Sequence, residues 1–70
     1  MKVIYLDWDH PKKHCSGTIA IHPEVTVKEL INAINKDIGF MVTDSSNEIH
    51  FFKTAFAEQC KFKIVEVEEG

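Results

Sequence analysis

Asp44-Ser45-Ser46-Asn47-Glu48 decides how this chain folds, because the same five residues open a helix in one reading and close a hairpin in another. As a helix start, Ser45 and Glu48 have the spacing of a capping box, in which the serine hydroxyl accepts the glutamate amide and the glutamate side chain reaches back. Ile49, Phe52 and Phe56 then share one helical face. Thr54-Ala55-Phe56-Ala57-Glu58-Gln59 continues with helix formers and no breaker, which extends this helix over residues 45–59. As a turn, residues 44–47 join the apolar run Phe40-Met41-Val42-Thr43 to a second strand over residues 48–53. The unbroken helix-forming composition up to Gln59 favours the helix.

Upstream the pattern is clearer. Residues 2–8 alternate as a strand, with Ile4, Leu6 and Trp8 on one face and Val3, Tyr5 and Asp7 on the other. Residues 9–17 are polar, with Pro11 near the start and Gly17 at the end, and read as a long loop before a short strand over residues 18–22. Thr26-Val27-Lys28-Glu29 is a capping box, and Val27, Leu30, Ile31, Ile34 and Ile38 form a stripe that Gly39 terminates, which predicts a helix over residues 26–37. Residues 61–68 close the chain as a strand with Phe62 and Ile64 on one face and Val65 and Val67 on the other. That change of phase suggests a bulge or a central strand.

The expected fold is one α+β domain over residues 1–70, a two-layer sandwich of order ββαβαβ. Both helices lie on one face of a mixed four-stranded sheet. A domain of 70 residues buries about 60% of its unfolded surface, so disulfides, a metal or a partner subunit are worth seeking. The alternative is ββαββ(β). That succession of strands, helix and strands resembles the ubiquitin-like β-grasp family, more fully if residues 44–47 turn. Carrier and conjugating members of that family end in a Gly-Gly pair that is adenylated at its carboxylate. Here the chain reads Glu69-Gly70, so the resemblance implies a non-conjugating binding module.

Composition narrows the function classes. Net charge is −3, all eight basic residues are lysine, and no arginine is present to grip phosphate or read guanine, which argues against a nucleic-acid reader. No run approaches the ~20 apolar residues of a membrane span, and the charged start fits no signal peptide, so a cytoplasmic protein with reduced Cys15 and Cys60 and no membrane partner is expected.

The densest group of reactive side chains is His10, His14 and Cys15. Zinc ligation there lacks the second ligand pair of a structural site, and the His14-Cys15 adjacency does not place a base on the thiol, because neighbours in extended chain point apart. No metal, cofactor or catalysis is therefore expected, and the alternatives are a small metal-binding protein using the loop from His10 to Cys15 or a thiol-dependent enzyme. If both helices cover one side of the sheet, Val3, Tyr5, Val65 and Val67 form an apolar strip on the other, rimmed by Trp8 and the loop from His10 to Cys15. The expectation is a non-catalytic protein-interaction module, an accessory, adaptor or inhibitor of the kind bacteria and their phages encode. Its partner is another protein or a second copy in a homodimer.

Overall fold

The Asp44 side chain resolves the ambiguity in favour of the turn. Its Oδ1 accepts the backbone N–H groups of Ser46 and Glu48 at 2.8 and 2.9 Å. The Asp44 N–H donates to the Glu48 carbonyl at 2.8 Å, and the Asn47 N–H donates to the Asp44 carbonyl at 3.0 Å. The Glu48 amide that a Ser45 cap requires is therefore taken by Asp44. Asn47 adopts φ 65°, a left-handed conformation that asparagine tolerates better than most residues.

The computed structural model describes residues 2–35 and 37–68. The elements are β1 (Lys2–His10), β2 (Cys15–Ala20), α1 (Val27–Ala33), β3 (Phe40–Thr43), β4 (Ile49–Phe52), α2 (Thr54–Ala57) and β5 (Lys61–Glu68). The observed order is thus ββαββαβ, and the helix expected over residues 45–59 is replaced by a hairpin followed by the single turn of α2. Through the second hairpin this is the order that the β-grasp alternative needed.

Instead of a mixed four-stranded sheet, an antiparallel three-stranded sheet of order β2-β1-β5 stands beside the two-stranded antiparallel sheet β3-β4. An isolated bridge, Ile21 to Asp44, links the two, supported by the His22 N–H on the Thr43 carbonyl and the Ser45 N–H on the Ala20 carbonyl.

The first hairpin is also tighter than its sequence suggests. His10 pairs with Cys15, which leaves residues 11–14 as the whole connection rather than residues 9–17. β5 keeps one register with β1 from Asp9 and Lys61 to Lys2 and Glu68, so its change of hydrophobic phase marks neither a bulge nor a central position. It is an edge strand, and its valines lie on the outer sheet face across from Val3 and Tyr5.

Helix α1 begins as expected, with Thr26 Oγ1 accepting the Glu29 N–H at 3.1 Å. It ends after Ala33, short of residue 37, and just beyond it Asn35 Oδ1 accepts the Asp37 N–H at 3.0 Å, a local turn that competes with helix. Of the expected stripe, Leu30 is buried and Ile34 packs against the core, whereas Ile31 and Ile38 are exposed. Gly39 takes a left-handed φ of 79°, but it does not end the helix as expected, since α1 stops at Ala33 with Ile34 as its cap; a Cβ at Gly39 would meet the Phe52 carbonyl oxygen at 2.7 Å.

The core lies on the Leu6 face of the three-stranded sheet. Leu6 and Ile19 meet Leu30 of α1, Phe40, Val42 and Phe52 of the hairpin, and Ala57 of α2. No helix among the described residues is long and apolar enough to cross a membrane.

The turn yields a pH prediction. His50 Nε2 lies 2.7 Å from Asp44 Oδ2, and with the Glu48 and Ser46 amides it holds the Asp44 carboxyl below the usual carboxylate range, against a smaller opposing effect of desolvation. A depressed folded-state value contributes stability that is complete above the unfolded value of about 3.9 and lost as pH falls through the folded one. Asp44→Asn should lower the urea midpoint at neutral pH and flatten its decline as pH falls below the unfolded value of about 3.9. An acid limb as steep as that of the wild type would contradict this role.

Candidate functional site

A groove of about 1050 Å³ runs between the tip of the β1-β2 hairpin and the segment β4-α2. Its floor is aromatic. Trp8 sets its ring edge-on to Phe52 and Phe56, with centroids 6.0 and 5.6 Å apart. That position depends on Gly17, the residue opposite Trp8 in the ladder, where a Cβ would stand 2.7 Å from Trp8 Cζ2. His10 is only 3% exposed and tilts against Phe56 at 4.6 Å. Its Nδ1 accepts the Lys13 N–H at 3.2 Å, which puts the proton of the neutral ring on Nε2. Lys13 Nζ stands 5.7 Å from the centre of the Phe56 ring, within cation–π range.

The walls of this groove are cationic. Lys12 and Lys13 come from the hairpin tip, Lys53 from the other bank, and His10 and His50 add imidazoles, whereas among the described residues no carboxylate lines it. In a chain of net charge −3 this is a local reversal. His50 is tied to Asp44, so the free positive charge rests on the three exposed lysines.

Beyond the groove, Asp44's turn fixes which side of the second hairpin faces water. Phe40, Val42 and Phe52 turn inward, and the alternation sends Met41, Ile49 and Phe51 outward. These three are 58, 67 and 60% exposed, and Met41 sits directly across from Phe51 in the ladder. Met41, Ile49 and the three lysines escaped the sequence reading, which placed Ile49 on a helix face and left Met41 unassigned. Phe51 lies beside Phe52, and the two cannot share one narrow inward stripe, which is a sequence signal for its exposure.

The strip expected from sequence is assembled in register. Val3 lies across from Val67, and Tyr5 lies between Ala20 and Val65, on the face opposite Leu6 and outside the core cluster. Val3, Tyr5 and Val65 are half-buried and Val67 is exposed. Trp8, expected as a rim residue of that strip, belongs instead to the other face, as a half-buried element of the groove.

Of His10, His14 and Cys15, the ladder brings His10 and Cys15 together as cross-strand partners and leaves His14 apart. His10 points into the groove, and exposed His14 occupies the hairpin tip with φ 52°. Cys15 lies across from His10, and among the described residues no group of three or more His, Cys, Asp or Glu side chains converges as metal ligands. Cys15 and Cys60 are not joined in a disulfide, and the latter is buried in the core.

Family models, curated proteins and solved structures were all compared with the chain, and none matches.

Because Trp8 is the sole tryptophan, it reports on the groove directly. Gly17→Val should push the indole off its seat, shifting its emission and lowering stability by about 1–3 kcal/mol, the usual cost of overpacking. Unchanged emission with an unchanged melting temperature would show that the ring does not lie over Gly17.

Proposed function

We propose that this chain is a non-catalytic protein-interaction module acting in the cytoplasm. The observation that carries the reading is the outward face of the second hairpin, where Met41, Ile49 and Phe51 remain more than half exposed although inward core positions lie one residue away. Contiguous exposed apolar side chains next to a groove favour a partner, because their burial on association removes apolar area from water at about 25 cal/mol per Å². Ile49 and Phe51 also line that groove, so the exposed face and the groove form one continuous surface.

A second reading, self-association, is supported by a separate observation. The rows Val3 to Val67 and Ala20 to Tyr5 to Val65 make an aligned apolar end of the sheet, whereas the other end carries Asp7 across from Lys63 and Asp9 across from Lys61. Packing two such apolar ends together leaves the charged ends in water, which suits a symmetric dimer.

Crosslinking in an extract of the native host tests both readings together. Wild-type protein should form heterologous adducts that a Met41→Ser/Phe51→Ser variant loses and Tyr5→Glu retains. A self-adduct, if the sheet face also serves a dimer, should vanish in Tyr5→Glu. Identical adducts from all three proteins would contradict the assignment of these surfaces.

A further inference from the structure

We infer that the groove beside β4 takes an extended acidic segment of a partner protein, which adds to the edge of β4 as a third strand of the second hairpin. The inference rests on the interaction reading above and deepens it by naming the chemistry of the occupant. Three independent features define that chemistry.

The first is a free edge. Among the described residues β4 pairs with β3 alone, and alternate backbone N–H and C=O groups of such a strand point away from its neighbour, where they template another chain. The second is the course of the groove. Ile49, His50, Phe51, Phe52 and Lys53 all line it, although successive side chains of a strand face opposite sides. A groove that touches every residue in turn runs along the edge of the strand. It offers an incoming strand the aromatic floor of Trp8 and Phe56 on one side and the exposed Phe51 on the other. The third is charge. Lys12 and Lys13 on one bank and Lys53 on the other face the groove, with no carboxylate of the described residues lining it, in a chain that is otherwise acidic. An alternation of apolar and acidic residues meets both demands: alternate side chains fill the floor while the others reach the lysines.

Trp8 emission titrations read the binding with defined probes. One is a blocked seven-residue peptide alternating Glu with Val and Phe. The others are its Lys counterpart, a version of the acidic peptide N-methylated at alternate backbone positions, and a short oligothymidylate. The acidic peptide should shift the emission saturably, bind at least about ten-fold tighter than the Lys peptide, and lose most of its affinity as salt screens the lysines. N-methylation should abolish binding, because it removes the donors that strand addition uses. Lys12→Glu/Lys13→Glu/Lys53→Glu, with its fold checked by circular dichroism, should reverse the preference. If that variant does not fold, Lys53→Glu alone should still weaken the acidic peptide and not the Lys peptide.

Equal binding of the two peptides, no response to either, indifference to N-methylation, or tighter binding of the oligothymidylate would each overturn the inference. Heterologous crosslinks that still depend on Met41 and Phe51 would then leave the interaction module standing without this occupant. Loss of those crosslinks' dependence would remove the broader reading too.

Discussion

Phe52 is the side chain on which this fold depends. Among the described residues, the second hairpin and the three-stranded sheet share only one isolated bridge and two flanking backbone hydrogen bonds, so side-chain packing must hold them together. Phe52 does this by touching four rings. It stacks on Phe40 with centroids 4.8 Å apart, meets Phe62 of β5 edge-on at 5.4 Å and Trp8 of β1 at 6.0 Å, and lies 6.3 Å from Phe56 of α2. Offset and edge-on aromatic pairs each add about 0.5–1.5 kcal/mol beyond their buried area, so this cluster is a large share of a small domain's stability.

Packing of that kind works in one register only. Side chains of a strand alternate with period two, and a slip of one residue in β4 would exchange Phe52 for Phe51. The register is set by Asp44, whose carboxylate collects two turn amides and faces His50. The same constraint that turns Phe52 inward sends Met41, Ile49 and Phe51 into water and leaves the edge of β4 open along the groove. The core and the candidate binding surface are therefore two faces of one decision made at the turn.

Much of this was legible in the residues. Thr26 caps α1 as its spacing implied, β1 alternates as written, and the valines of β1 and β5 do align on the outer sheet face. What misled was a match of local signals: Ser45 and Glu48 fit a helix cap as well as a turn, and residues 54–59 favour helix without needing a long one. The deciding competitor was Asp44, one residue before the apparent cap, together with an asparagine suited to positive φ. Local propensity ranks such alternatives weakly, and burial of a ring as large as Phe52 against four others overrides it. The groove was less legible still. Lys53 is far in sequence from the adjacent Lys12 and Lys13, and the tight pairing of His10 with Cys15 places the hairpin tip that carries those two opposite β4.

Equilibrium urea unfolding of Phe52→Ala beside Phe51→Ala tests the central claim most directly, because the two substitutions remove the same side chain from neighbouring positions. Phe52→Ala should cost about 3–5 kcal/mol, enough to leave a domain of this size partly or wholly unfolded. Phe51→Ala should stay within about 0.5 kcal/mol of the wild type, as an exposed position does. Equal losses, or a greater loss at Phe51, would mean that β4 does not hold the register on which the core and the groove both depend.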